Sequence, residues 1–290
     1  MNVAITGASG QLARIVAELA LERLTPSEVL LVTRTPEALS AFAARGAQVR
    51  HGDFDQPDGL PAALAGAERM LLISTEAIGR RVAQHRNAVD AAVAAGVRHI
   101  AYTSILEPTP ENPAAVVQEH APTEAAIRES GLAWTMLRNS LYTEFLVPPG
   151  VQAVASGRLV HNTGDGKLAN VSRFDCAAVA AAVLTSEGHA GTNYDVTGPE
   201  LLSRADVAAL LAEITGRPVE AVPVDDAEFI AGLVAAGIPE GVAAWIASFG
   251  RAIREGVLSV VSSTVQDLTG HPPRTMREVL TEHRDELLGA

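Results

Sequence analysis

Two glycines and an alanine, Gly7, Gly10 and Ala13, follow a short apolar run near the start of the chain at intervals of three residues. The apolar run, residues 3–5, predicts a buried parallel strand, and the pattern from Gly10 onward predicts a helix. The amino terminus of a helix presents unpaired backbone N–H groups, and a pyrophosphate can approach them where no side chain intervenes. The spacing therefore predicts a dinucleotide-binding turn. The alternative is a corner that needs glycine only for a positive φ angle.

Arg34 follows the second predicted strand, residues 29–33, at the position where an NAD-preferring site carries an Asp or Glu for the ribose 2′-hydroxyl. A guanidinium at this point can pair with a 2′-phosphate, which a carboxylate would repel. The residue therefore favours NADP(H) over NAD(H) as the cofactor. The alternative is a solvated residue at the start of a helix.

Polar and acidic residues follow the third and fourth predicted strands: Asp53 after the third, and Ser74, Thr75 and Glu76 after the fourth. Because the carboxyl ends of parallel strands meet at one edge of a sheet, these side chains are expected to flank the bound dinucleotide. Two interpretations of Asp53 stay open. Its carboxylate is equally suited to accept a hydrogen bond from the adenine amino group and to cap the next helix.

Lys167 is the only lysine among the 22 basic residues. In a Tyr-x-x-x-Lys pair, the tyrosine is the acid that donates a proton to the substrate. With Lys167 as its lysine, such a pair would need tyrosine at position 163, where the chain has Thr163. Such a positioned acid typically contributes roughly 10²–10⁴-fold to the reduction of an isolated ketone. Reduction of a conjugated acceptor depends on it less, because the anion that forms is delocalised. The absence of the pair is thus consistent with a conjugated acceptor.

The composition excludes several classes of function. At 290 residues and 48% hydrophobic content, the chain is long enough for one large α/β domain with a smaller appendage. A formal charge of −12 without a basic run argues against nucleic-acid binding. No run has the length of a membrane span, no Cys/His cluster has zinc-ligand spacing, and the single cysteine cannot form an internal disulfide. We therefore expect no membrane segment, no metal and a cytoplasmic location.

Apolar runs alternate with helical patterns through the first half of the chain. This alternation predicts an α/β fold: a Rossmann-type doubly wound parallel sheet with right-handed crossovers. We place an NADP(H)-binding Rossmann domain at residues 1–145 and a smaller, mostly helical substrate-side lobe at 146–290, with segments that return to the main sheet. Residues 147–150, with two prolines, predict a break in the chain. His85, on a predicted helix, is expected to be packed or solvated rather than catalytic.

With these residues placed, the sequence resembles the NmrA-like group of atypical short-chain dehydrogenases/reductases, and in particular its bacterial NADPH-dependent quinone oxidoreductases. The likeness extends over nearly the full chain. It is carried, besides the glycine turn, by the segments Gln84-His85-Arg86-Asn87, Ala101-Tyr102-Thr103-Ser104, Gly164-Asp165-Gly166-Lys167 and Arg173-x-Asp175.

The resemblance implies a set of cofactor contacts. They are Gly7, Ser9, Gly10, Gln11 and Leu12 at the pyrophosphate, Arg34 at the 2′-phosphate, Ser74, Thr75 and Glu76 beside the ribose, and Arg138, Asn139 and Tyr142 near the nicotinamide. Arg173 would face the substrate cleft. Ala13 stands where the pattern has a third glycine, a mild change. Two further positions depart from the pattern: Ala125, where relatives often carry a lysine, and Leu141, where quinone-reducing relatives are expected to have a large aromatic residue.

The resulting expectation is an NADPH-dependent reductase of a quinone-like small molecule. Asn139 and Tyr142 would orient the acceptor ring, and Arg138 or Arg173 would stabilise the developing oxyanion. Tyr142 as a core residue and Arg173 as a helix-start residue remain open alternatives. A redox sensor that binds NADP(H) without turnover, as NmrA-like regulators are thought to do, is the competing function. A homodimer also remains open.

Overall fold

The computed structural model describes residues 1–289 and contains a seven-stranded sheet in which every pairing is parallel. The strand order is β3-β2-β1-β4-β5-β6-β8, and β7 and β9 form a separate two-stranded sheet. The strands are β1 (Val3–Thr6), β2 (Val29–Thr33), β3 (Gln48–His51), β4 (Arg69–Leu72), β5 (His99–Ile105), β6 (Ala133–Asn139), β7 (Arg158–His161), β8 (Thr192–Val196) and β9 (Glu220–Pro223).

Helices lie on both faces of the main sheet and form most of the smaller lobe. They are α1 (Gln11–Leu21), α2 (Ser40–Ala44), α3 (Leu60–Leu64), α4 (Arg81–Ala94), α5 (Val117–Glu129), α6 (Val147–Ser156), α7 (Arg173–Thr185), α8 (Arg204–Thr215), α9 (Asp226–Ala235), α10 (Glu240–Arg254), α11 (Thr264–Thr269), α12 (Met276–Glu282) and α13 (Arg284–Leu287). Within residues 1–289, none of them combines the length and the apolar character needed to cross a bilayer.

The alternation of side chains along β1 builds two separate cores. Val3 and Ile5 point to the face covered by α1 and α7, whereas Ala4 points to the face covered by α3, α4 and α5. Strands covered on both faces are largely apolar, and β1, β2 and β4 are buried at every position. The predicted Rossmann-type doubly wound sheet is confirmed.

The second half of the chain returns to this sheet before it completes the smaller lobe. Strand β8 pairs with β6, and α7 packs in the same core as α1. A third core joins α6, α8, α12 and α13 with β7. The division at residue 145 stays a prediction.

The predicted break at residues 147–150 is wrong, because α6 begins there. Its two prolines occupy the first turn of the helix, where a backbone N–H has no partner within the helix and its loss costs nothing. Gly150 lies so close to α13 that an added Cβ would come within 2.8 Å of Leu287.

Candidate active site

The turn after β1 has the geometry that its glycines predict. Gly7 adopts a φ of +61°, a conformation that favours glycine, and Gly10 donates a backbone hydrogen bond of 2.9 Å to the Gly7 carbonyl. A Cβ on Gly10 would approach that carbonyl oxygen to 3.2 Å. The end of β1 is in turn tied to β4, since the Thr6 hydroxyl donates to the Leu71 carbonyl at 3.0 Å.

Helix α1 begins directly after this turn without a side-chain cap. Gly10, the capping residue, has no side chain to accept from the first backbone N–H groups, and Gly10 and Gln11 are exposed. The uncapped amides and the helix dipole make this end of α1 suited to an anion. Leu12 is buried, so its side chain is not available to a ligand.

Ser9 joins the turn to the end of β2. Its hydroxyl accepts from Thr33 at 3.0 Å, and its carbonyl accepts from the Arg14 Nε at 3.0 Å. The same guanidinium donates to the Ala38 carbonyl at 2.8 Å, so Arg14 holds the turn against the segment that follows β2. Sequence reasoning missed Arg14, whose only signal is a cation one turn into a helix that opens on glycine.

Arg34 lies at the end of β2 with an exposed side chain. In the part of the chain that the structure describes, no hydrogen bond or ion pair engages its guanidinium. It is therefore available to a phosphate brought to this edge of the sheet.

Asp53 does not cap the following helix, so that interpretation is wrong. Its Oδ1 accepts from the Asp55 backbone N–H at 3.0 Å, while the next helical turn, Pro57–Gly59, is preceded by Gln56 and has no side-chain cap. Residues 51–53 and 55–59 line a cavity of about 380 Å³ beside the carboxyl end of β3. The alternative, a contact of Asp53 with adenine, stays a prediction.

Ser74, Thr75 and Glu76 lie where β4 ends, at the same edge as Gly7. Ser74 and Thr75 are partly exposed and Glu76 is exposed. The Ser74 backbone N–H donates to the Thr103 hydroxyl at 2.8 Å, which fixes the start of this loop to β5.

Arg138 and Asn139 are neighbours on β6 and therefore point to opposite faces of the sheet. Arg138 lies on the α5 side, where Glu124 accepts from it at 3.1 and 2.9 Å and from Ser104 at 2.7 Å. Burial opposes ionisation of Glu124, but the hydrogen bonds from Arg138 and Ser104 outweigh it and hold its pKa below the ordinary range. The charge of Arg138 is thus balanced within the protein.

Asn139, Tyr142 and Arg173 meet on the other side. Asn139 Nδ2 donates to the Tyr142 hydroxyl at 3.3 Å, and the Arg173 guanidinium lies 5.4 Å from the centre of the Tyr142 ring. Asn139 Oδ1 is buried and has no hydrogen-bond partner in the described chain. Burial raises the pKa of Tyr142 above its ordinary value of 10, so its hydroxyl stays neutral.

The two departures from the expected pattern differ in their surroundings. Ala125 is exposed on α5. Leu141 packs in an apolar cluster with Trp245 and Phe249 of α10, whose rings meet edge to face at 4.8 Å. Sequence reasoning missed this pair, because the second half of the chain gave no sign of which helix face approaches the sheet.

No group of three or more His, Cys, Asp or Glu side chains within residues 1–289 is arranged to hold a metal ion.

Comparison with known proteins places the chain in a family. Residues 7–187 match the model of a family described as NAD(P)H-binding. Quinone oxidoreductase 2 from Escherichia coli is 37% identical over 276 residues, which are 95% of this chain and 96% of that protein. An NmrA-like family domain-containing oxidoreductase from Aspergillus flavus is 30% identical over 98% of this chain and 97% of its own.

A solved structure extends the similarity to three dimensions. The crystal structure of an NADPH-dependent quinone oxidoreductase from Escherichia coli complexed with NADPH superposes with a TM-score of 0.93. The two chains are 37% identical, and the match covers 97% of this chain and 99% of the other. The chain therefore belongs to the NAD(P)H-binding family and, within it, to the NmrA-like oxidoreductases.

Proposed function

We propose that the protein is an NADPH-dependent reductase that transfers hydride to a quinone or a similarly conjugated small molecule. The observation that carries the proposal is the uncapped start of α1, formed behind Gly7 with its φ of +61° and flanked by the exposed Arg34. The full-length similarity to a quinone oxidoreductase supports the choice of acceptor.

The residues at the sheet edge fit a phosphorylated dinucleotide. The backbone of Gly7 to Leu12 would hold the pyrophosphate and Arg34 the 2′-phosphate, because the amides and the guanidinium are the donors that phosphate oxygens need. The adenine would enter the cavity beside Asp53, and Ser74, Thr75 and Glu76 would contact a ribose. When bound, NADPH supplies the hydride.

The chain's own contribution to the reaction is orientation of the acceptor and stabilisation of charge. The Tyr142 hydroxyl accepts from Asn139, so its own proton is free to be donated to an oxygen of the substrate. Arg173, stacked over Tyr142, would stabilise the negative charge that develops on that oxygen. Arg173 suits this role better than Arg138, whose charge Glu124 balances. Arg138 beside the nicotinamide stays a prediction.

A conjugated acceptor suits this site better than an isolated ketone. The product anion of a quinone is spread over a ring, so positioning of two flat rings supplies most of the rate, and a strong proton donor is dispensable. Tyr142 has no lysine beside it to lower its pKa, which burial instead raises.

The test is turnover by the purified protein with NADPH, a panel of benzo- and naphthoquinones, and a simple aliphatic ketone as control. We expect oxidation of NADPH with quinones and none with the ketone. Tight binding of NADPH without oxidation across the panel would favour the redox sensor.

The cytoplasm is the proposed compartment, because Cys176 has no second cysteine with which to form a disulfide. The homodimer stays a prediction, and gel filtration of the purified protein distinguishes it from a monomer.

A further inference from the structure

The start of α4 carries three polar side chains on a face that is buried. Arg81, Gln84 and His85 are 6%, 5% and 0% exposed, at the spacing that places residues on one side of a helix. Polar groups in such surroundings cost free energy unless each finds a partner. Here the partners lie in the loop Ser74–Gly79, which connects β4 to α4 at the proposed cofactor edge.

Thr75 is held by all three of these side chains. Its backbone N–H donates to His85 Nε2 at 3.1 Å, and its hydroxyl donates to the Gln84 side-chain Oε1 at 2.7 Å. Its own carbonyl accepts from Arg81 Nε at 2.5 Å. Both backbone groups and the side chain of one loop residue are therefore fixed by one turn of helix.

The contact with Thr75 also determines the tautomer of His85. A backbone N–H can only donate, so Nε2 must accept and the ring proton must lie on Nδ1. Nδ1 is 3.0 Å from the Thr123 hydroxyl, and that hydroxyl donates a hydrogen bond to the Glu119 carbonyl at 2.8 Å. The neighbouring Tyr102 hydroxyl lies 2.8 Å from His120 Nδ1. His85 is thus neutral, and burial lowers its pKa to about 3.

Arg81 also connects the loop Ser74–Gly79 to α5. Its guanidinium pairs with Glu119 of α5 at 2.9 Å, and the other oxygen of that carboxylate accepts from the Gly79 backbone N–H at 2.8 Å. Both ends of the loop are therefore anchored to buried groups, whereas Glu76 and Ile78 between them are exposed.

The helix also reaches the loop after β3. Gln84 Nε2 donates to the Asp55 carboxylate at 3.0 Å, and Asn87 Nδ2 donates to the Phe54 carbonyl at 2.8 Å. One helix thus links the loop proposed for the ribose with the loop proposed for the adenine.

We propose that His85 is a positioning residue: by accepting the Thr75 N–H it holds the loop Ser74–Gly79 in the one conformation that binds NADPH. The inference rests on the proposed function, since Thr75 matters only if this edge receives the dinucleotide. His85 itself touches neither cofactor nor substrate and exchanges no proton.

Three substitutions separate positioning from packing. Glutamine at position 85 extends far enough to replace the Nε2 acceptor, asparagine reaches only to the position of Nδ1, and phenylalanine keeps the ring shape without an acceptor. His99→Gln is the matched control, because His99 is partly buried at the opposite end of β5 and contacts Thr135 at 2.8 Å. Three quantities are measured for each variant: hydrogen exchange of the Thr75 amide in the protein without nucleotide, the Kd for NADPH by calorimetry, and the KM for a quinone.

We expect His85→Gln and His99→Gln to keep slow exchange at Thr75 and a Kd close to that of the wild type. In His85→Asn and His85→Phe the amide loses its acceptor, so exchange quickens. If the binding-competent loop falls to a tenth of the population, the Kd for NADPH rises about tenfold. The KM for the quinone should stay unchanged. Should His85→Phe fail to fold, the comparison of glutamine with asparagine carries the test.

Slow exchange and an unchanged Kd in His85→Asn would overturn the proposal, and so would a His85→Gln variant as defective as His85→Phe. Wild-type protein that binds no NADPH would instead overturn the proposed function. The exchange data would then still decide whether His85 fixes the loop.

Discussion

The Arg138 guanidinium grips the Glu124 carboxylate with two hydrogen bonds, Nε to Oε1 at 3.1 Å and Nη2 to Oε2 at 2.9 Å, and Glu124 is 1% exposed. Glu124→Ala would leave Arg138 without its carboxylate partner and would remove the ion pair of Arg128. Removal of one partner of a buried pair typically costs about 3–5 kcal/mol, and because Arg138 is partly exposed we expect about 2–3 kcal/mol. Urea unfolding at pH 7 measures this loss.

The loss should depend on pH. The folded-state pKa of Glu124 is lowered, so its stabilisation is complete above the unfolded-state pKa, about 4.3, and disappears as the pH falls through the lower folded value. Glu213→Ala is the control, since Glu213 and Arg277 form an exposed pair, and exposed pairs contribute little to stability. Equal losses in both variants at pH 7 would contradict the buried pairing.

Gly7→Ala should destabilise the protein and weaken NADPH binding. A residue with a Cβ at a φ of +61° is strained by roughly 1–2 kcal/mol, and relief of that strain moves the amides that would meet the pyrophosphate. Gly232→Ala, inside the exposed helix α9 with open space around the added methyl group, should instead stabilise by up to about 1 kcal/mol. Thermal unfolding and NADPH titration of both variants check the contrast. An alanine accepted at position 7 without loss would argue against the turn.

Arg34→Ala should weaken NADPH binding at least about tenfold and leave NADH binding nearly unchanged, because only NADPH carries the 2′-phosphate. Calorimetry with both nucleotides measures the difference. Arg23→Ala, which removes another exposed arginine two residues beyond the end of α1, is the control and should affect neither. An equal loss for both nucleotides in Arg34→Ala would remove the reason to name NADP(H).

Tyr142→Phe should retain quinone reduction to within about tenfold, because an obligatory general acid would cost roughly 10²–10⁴-fold. Since burial raises the pKa of Tyr142 above 10, kcat should show no loss from its ionisation between pH 7 and 10. Steady-state rates across that range check both statements.

Arg173→Ala serves as the contrast to Tyr142→Phe. If its guanidinium stabilises the developing charge, kcat should fall by about 10²-fold while the Kd for NADPH stays the same. A variant that keeps the full kcat would indicate that Arg173 is only a residue at the start of α7 and takes no part in the reaction.

The sheet could be predicted from sequence because its strands are covered on both faces. Such strands are nearly continuous apolar runs, and in β1, β2 and β4 only the terminal residues Thr6, Thr33 and Arg69 are polar. The start of α6 could not, because Pro148 and Pro149 signal a break in the interior of an element and are tolerated in its first turn. Local sequence does not distinguish these positions.

In the candidate site, too, some residues could be predicted from the sequence and others could not. Gly7, Gly10 and Arg34 are recognised locally, since the turn and the strand end that use them are contiguous in sequence. The partner of Arg138 lies 14 residues away on α5, and the Thr75 amide meets a histidine 10 residues further on. Such pairings depend on how helices pack against strands, and no local pattern of residue types specifies them.

Because the first amides of α1 lack acceptors, the free protein carries a deficit that a bound pyrophosphate would make good. Nucleotide would then act as a missing piece of the fold, adding about 2.7 kcal/mol to stability at a hundredfold excess over its Kd. Resistance to heat and to proteases would in that case follow the supply of dinucleotide in its surroundings.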